Sequence, residues 1–264
     1  MANKPDEMPI LDHFSELRRI LIISFTSTFL LAIVAYFFSD QILAFILDPL
    51  KNAGHQINYT GITEPIIVKL KLSLFVGFLA SLPVILWKIW SFVIPALKEN
   101  ERVYFTLFVL ISFIIFILGV SFCYLTVFRF GILFLLGFAG PELNPILTID
   151  RYISFTIGFL LPFGFIFELP LIAYILSKLG LISYSFMATN RRYALFVIVI
   201  ISVLITPPDI FTLFMVSGPV FVLYEISALI VRLVERGKAR REKKEQATRE
   251  AQENEKKNDP SVAA

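Results

Sequence analysis

The sequence predicts an all-α integral membrane protein: a six-transmembrane-helix bundle with both termini cytoplasmic (N-in/C-in) and short fifth and sixth helices. Three observations carry this. Hydrophobic residues make up 57% of the chain and charged residues only 17%, whereas a soluble domain averages about a quarter charged. The excess apolar surface calls for lipid as solvent. The apolar residues are also bunched into nearly charge-free runs of roughly 14 to 25 residues, and a helix needs about 20 to cross a ~30 Å hydrocarbon core. The third observation is where the lysines and arginines fall.

The spans follow from the apolar runs between charged or turn residues. The first covers about 20–38 and closes at Ser39-Asp40. A polar loop with Pro49, Lys51, Asn52 and Gly54 follows. Thr63-Glu64-Pro65 reads as a helix start, with a hydroxyl cap, an acid in the first turn and an early proline. The second span runs over about 66–87, with Lys69 and Lys71 near enough to one interface to snorkel and Trp87 and Trp90 at the other. The third runs from after Arg102 to about Val127; the nine residues 130–138 are too short to cross and read as a continuation or a surface segment. Pro141 and Pro145 make the next loop. The fourth span, about 152–176, is broken by Pro162 and Pro170, the fifth is 193–206, and the sixth begins at Phe211 after a Pro207-Pro208-Asp209 turn and reaches about Val231. This divides the chain into a cytoplasmic segment 1–19, a six-helix transmembrane domain 20–234 and a charged cytoplasmic tail 235–264 that reads as disordered.

Six spans place nineteen of the 24 lysines and arginines on one side, leaving Lys51, Lys69, Lys71, Arg129 and Arg151 on the other. The basic side is cytoplasmic by the positive-inside rule. The acids of the first 18 residues do not suit a cleaved signal, so the first span is expected to stay. The fifth span and the stretch 211–224 each hold 14 residues, about 21 Å of helix. Either they thin the bilayer or hide their ends in protein, or the helices extend past these charge-based boundaries.

Catalytic constellations are absent from the sequence, so an enzyme is not expected. No GxSxG, HExxH or Walker A pattern occurs; Cys123 is the only thiol, and His13 and His55 have no ligand spacing. No cofactor, metal or nucleic-acid partner is expected. Glu168 stands out, 17 residues from Arg151 and 10 from Lys178. An ionisable group at that depth costs at least about 2.5 kcal/mol. It reads either as a neutral glutamic acid tying two helices together, or as part of a polar patch receiving a partner helix or lining a hydrated cavity. The second constellation is cytoplasmic: Glu16 beside Arg18 and Arg19, and Glu99 and Glu101 beside Arg102. These acids are either ordinary first-turn residues or a receptor for guanidinium groups, which pair bidentately with carboxylates.

Several segments together resemble the twin-arginine translocase subunit TatC over residues 9–235. They are His13-Phe14-Ser15-Glu16-Leu17-Arg18, Ser81-Leu82-Pro83, Trp90-Ser91-Phe92-Val93-Ile94-Pro95-Ala96-Leu97 with Glu101-Arg102, Phe163-Gly164-Phe165-Ile166-Phe167-Glu168-Leu169-Pro170, Arg191-Arg192-Tyr193, and Leu204-Ile205-Thr206-Pro207-Pro208-Asp209. The resemblance implies a bacterial inner (plasma) membrane receptor that binds paired-arginine signal peptides of folded precursors. It implies assembly with TatA- and TatB-type single-span partners, as a homo-oligomer within the complex, and export driven by the proton-motive force. It places signal-peptide binding on Glu16, Leu17, Arg18, Phe92, Pro95, Glu101 and Arg102. Glu168 and Thr206 match intramembrane polar and partner-docking positions, and Pro49 and Asp209 match outer-face functional positions. Lys88 and Leu213 stand where many relatives carry glutamine.

Two other classes remain open. Proline-broken helices and Glu168 suit a secondary transporter, though the Glu-Leu-Pro pattern occurs once. A structural scaffold would leave Glu168 and the loop acids freely replaceable.

Overall fold

The computed structural model describes residues 10–52, 54, 56–93, 105–138, 146–206 and 209–257. Five stretches among them are long and apolar enough to cross a membrane: Ser15–Phe37, Glu64–Ser91, Thr106–Gly137, Ile149–Leu179 and Ile210–Thr248. Contacts divide the chain into two units, residues 1–168 with 199–220, and residues 169–198 with 221–264.

In the first unit α1 (Ile10–Phe37) begins ten residues before the apolar run, because charge marks where lipid ends, not where the hydrogen-bonded helix ends. The expected polar loop is instead helix α2 (Ser39–Asn52). Its Ile42, Leu43, Ile46, Leu47 and Leu50 recur at helical spacing and pack into or against the unit's core, a pattern masked in the sequence by Pro49 and Lys51. α3 (Glu64–Val93) starts at the predicted Thr63-Glu64-Pro65 signal and carries Pro83 inside it. α4 (Phe105–Phe122) continues through a π-helical segment, Cys123–Phe128, into α5 (Arg129–Phe138). Residues 130–138 are therefore a continuation of that helix. α6 (Ile149–Phe167) contains Pro162 without breaking; only Pro170 coincides with a break. Pro141 and Pro145 lie outside the described residues.

Small residues set how closely these helices approach. A Cβ on Gly77 of α3 would stand 2.5 Å from the Ala32 backbone nitrogen of α1. One turn away the Thr28 and Ser81 hydroxyls are 2.8 Å apart. Thr28/Ala32 and Gly77/Ser81 thus form two small-xxx-small edges pressed together, as suits helices that gain nothing from apolar burial in lipid. α4 meets α6 in the same way: a Cβ on Gly164 would enter the Phe116 ring at 2.3 Å, and one on Gly119 would reach Phe167 at 2.7 Å. Phe78, Phe116 and Phe165 fill the space between α3, α4 and α6 with ring centroids 5.2–6.4 Å apart.

One end of this unit is tied by polar contacts. Strands β1 (Ile57–Asn58) and β2 (Leu147–Thr148) pair in parallel, Ile57 with Leu147. The Glu64 carboxylate accepts from the backbone N–H groups of Thr60 at 2.7 Å, Gly61 at 3.1 Å and Asp150 at 3.0 Å. It thereby holds the loop that leads into α3 and occupies a first-turn donor of α6 that the helix itself leaves open. Lys71 pairs with Asp150 at 2.5 Å and Lys69 with Asp40 at 2.7 Å.

The second unit holds α7 (Leu169–Leu179), α8 (Tyr184–Thr189), the start of α9 (Arg191–Ile205) and α10 (Ile210–Lys257) from Phe221 onward. Ala173, Met187, Ala228 and Val231 form its small core. Gly180, at φ +79°, ends α7. The Leu181 N–H bonds the Leu176 carbonyl at 2.9 Å and the Gly180 N–H bonds Ser177 at 3.1 Å, the paired bonds of a Schellman cap. Glu225 pairs with Arg191 at 3.0 Å, and the Arg232 guanidinium lies 5.0 Å from the centre of the Tyr184 ring. With both charges engaged, the apolar stretch of α10 resumes after Glu225 and runs to Val234. The sixth helix is therefore not short; the break expected at Glu225 is a charge facing protein. α9 has 15 residues, about 22 Å, and stays short. The segment from Glu235, read as disordered, continues α10 as helix to Lys257.

The α1–α3 seam makes a direct prediction. Gly77→Leu overpacks it and costs about 1–3 kcal/mol, lowering the unfolding midpoint of the detergent-solubilised chain. Gly218→Ala, where a Cβ meets nothing within 4 Å, does not lower that midpoint and raises it if anything, through helix propensity.

Candidate functional site

The candidates expected on the cytoplasmic side begin on α1. Leu17 is 42% exposed, Arg18 is exposed and Glu16 is partly buried. Leu17 also stands at the mouth of an apolar groove of about 1200 Å³. Leu21 and Phe25 of α1, Phe75 and Phe78 of α3, and Gly158 and Leu161 of α6 line it, with Lys71 and Ser154, 3.0 Å apart, at the far end. The groove is apolar along its length, with Lys71 the one ionisable side chain among the described residues that line it. Phe92 falls in the last turn of α3. Pro95, Glu101 and Arg102 lie outside the described residues.

Glu168 occupies the break between α6 and α7. Pro170 has no N–H to continue the helical ladder and its ring crowds the preceding turn. The chain tightens instead, with the Glu168 N–H bonding the Phe165 carbonyl at 3.1 Å. The Glu168 side chain is only 5% exposed. The Ser112 hydroxyl of α4 donates to its Oε2 at 2.8 Å, while Oε1 is buried without a hydrogen-bond partner among the described residues. Through Oε2 this carboxyl ties the end of α6 to α4.

The outer-face candidates have local chemistry of their own. Asp209 caps α10: its Oδ1 accepts from the Thr212 N–H at 2.7 Å and its Oδ2 from the Thr212 hydroxyl. Thr206 is buried, with its hydroxyl donating back to the Ser202 carbonyl at 2.8 Å. Pro49 sits buried inside α2. Lacking an N–H, it leaves the Phe45 carbonyl, four residues earlier, without its helical donor. The Tyr124 hydroxyl of the π-helical segment supplies that donor at 2.8 Å. Beside it the Tyr152 hydroxyl donates to the Ile46 carbonyl at 2.8 Å.

Sequence reasoning missed Ser112, Tyr124, Tyr152 and the Glu64 hub. The signals were thin. Ser112 is a lone hydroxyl in an apolar run, Tyr124 answers a proline 75 residues upstream, and Tyr152 reaches a neighbouring carbonyl of the same helix.

A protein-family model described as Sec-independent protein translocase protein (TatC) matches residues 12–219. The chain is 38% identical over 235 residues to the TatC of Carboxydothermus hydrogenoformans, covering 89% of this chain and 96% of that relative. To the TatC of Aquifex aeolicus it is 34% identical over 235 residues, covering 88% and 98% respectively. It superimposes with TM-score 0.77 and 33% identity on a crystal structure of the twin-arginine translocase receptor TatC, covering 84% of this chain and 99% of that one.

The Pro49–Tyr124 contact is testable by a double-mutant cycle on thermal stability. Tyr124→Phe alone strands the Phe45 carbonyl and costs about 1–3 kcal/mol. In a Pro49→Ala background the new N–H serves that carbonyl, so the same change costs distinctly less. Additive losses would contradict the assignment.

Proposed function

Because the chain belongs to the TatC family of Sec-independent protein translocases, we propose that it binds paired-arginine signal peptides of folded precursors at the cytoplasmic end of α1. The observation that supports this most is that Leu17, next to Glu16 in the chain, lines a large apolar groove. A signal peptide presents cationic residues followed by an apolar stretch, and this end of the protein offers the complements in that order. In this reading the Glu16 and Glu101 carboxylates pair with the two guanidinium groups, and Leu17, Arg18, Phe92, Pro95 and Arg102 shape the surrounding surface. The planar fork of arginine suits two-point pairing with a carboxylate, whereas an ammonium acts as a single point charge.

The chain spans the bacterial inner membrane six times with both termini cytoplasmic, a reading that rests on the placement of its basic residues. Five spans are the long apolar stretches; α9 is the sixth, shortened so that the bilayer thins around it or protein covers its ends. TatA- and TatB-type subunits dock at Thr206 and at Glu168, whose Oε1, without a partner among the described residues, is suited to a donor from a partner helix. Pro49 and Asp209 fix the outer face that these partners meet. Several copies assemble in the complex, and the proton-motive force drives export.

Binding of a precursor to membranes containing the chain tests the receptor role. Arg–Arg signals should bind at least about tenfold more tightly than Lys–Lys signals, the factor expected for charge-assisted bonds of a few kcal/mol. Glu16→Gln and Glu101→Gln should each erase that margin. Equal binding of both signals to the unaltered protein sinks the carboxylate-fork reading.

A further inference from the structure

The second unit contains a cavity that signal recognition does not use. It measures about 550 Å³ and lies between α7, which contributes Tyr174 and Lys178, and α10, which contributes Ile230, Leu233, Val234 and Lys238. The spacings 174/178 and 230/234/238 put each set on one helix face. We propose that it binds an anionic phospholipid of the surrounding bilayer, with an acyl chain along Ile230, Leu233 and Val234 and the phosphate at Lys178 and Lys238.

The order of residues along α10 supports this occupant. Leu233 is 66% exposed, which suits lipid and not water, and Lys238 follows Val234 by four residues, about 6 Å along the axis. The cavity is therefore apolar at hydrocarbon depth and cationic at headgroup depth. The Lys238 ammonium is fixed at the mouth by donating to the Ser177 and Lys178 carbonyls at 2.8 and 2.9 Å. Two of its three donors are used and one remains among the described residues. The Lys178 ammonium stands 5.8 Å from the centre of the Tyr174 ring, on the same cavity.

No carboxylate is among the described residues that line it. Neighbouring Glu235 is turned to the Tyr184 N–H at 3.0 Å. Beyond the mouth, Arg236, Arg240, Lys243 and Lys244 are exposed along the same helix. A basic cluster just past a membrane helix attracts anionic headgroups. A zwitterionic lipid would offer this mouth no net charge, and a soluble acidic partner would leave the apolar part unfilled.

Gly237 keeps the mouth open. A Cβ there meets nothing within 4 Å, so Gly237→Leu narrows the cavity without a clash, keeps both lysines and improves helix propensity. The test is native mass spectrometry of the full chain in detergent, titrated with phosphatidylglycerol or phosphatidylcholine. Phosphatidylglycerol should occupy one site about tenfold more tightly, in line with two lysines at a membrane surface, and excess inorganic phosphate should not displace it. The double variant Lys178→Gln/Lys238→Gln should abolish the preference, and Gly237→Leu should abolish the tight site. Equal binding of the two lipids, displacement by phosphate, or a preference that survives either variant overturns the proposal. No precursor is present in this experiment, so the lipid site and the receptor role stand or fall separately.

Discussion

Inside a bilayer no water is at hand to satisfy a polar group, so every departure from regular helix must find its partner within the protein. This constraint explains most of the specific contacts in the structure. Pro49 strands a carbonyl in α2, and Tyr124 meets it from the π-helical segment 79 residues away. Pro170 follows the break at Glu168, and Ser112 donates to the carboxyl buried there. Gly180 ends α7, and Lys238 covers its last carbonyls. In each case the irregularity and its remedy lie on different helices, so the repair is also a tertiary contact.

Close packing supplies the rest. Apolar burial drives little association among helices already in lipid, and the α1–α3 and α4–α6 contacts depend on glycines that admit a neighbour's backbone or ring. The seam at Gly77 and Ser81 holds α1 against α3, while Leu21 and Phe25, on the same stripe of α1 as Thr28, line the groove and stay more than half accessible. A groove that takes an apolar ligand requires one helix to stand partly free, and this seam lets α1 do so without losing its position.

The cores of the spans were legible in the sequence because charge exclusion from lipid is strict. Their ends were not, since helices continue into the polar layer wherever hydrogen bonding allows, as α1 does back to Ile10 and α10 does to Lys257. Glu225 misled in a different way: an acid reads as the end of a span unless its partner, here Arg191, is known. Helix α2 was hidden because a proline and polar neighbours resemble a loop when the apolar stripe is short. At the candidate site, Glu168 was legible by depth alone, and its partner Ser112 was not, because one serine in an apolar run carries no direction. The resemblance of Glu16-Leu17-Arg18 and the Pro-Pro-Asp turn to the TatC family supplied roles that residue physics alone left divided between capping and recognition.

The account depends most on α9, the short helix, crossing the membrane, because that crossing returns the basic tail to the side of the N-terminus. Cysteine labelling in intact cells decides it. With Cys123 replaced by serine, Gln56→Cys and Gln246→Cys are probed separately with a membrane-impermeant maleimide. Six spans predict that position 56 is labelled from outside and that position 246 is labelled only after permeabilisation. Labelling of position 246 in intact cells would mean an odd number of crossings, and the proposed topology would fall with it.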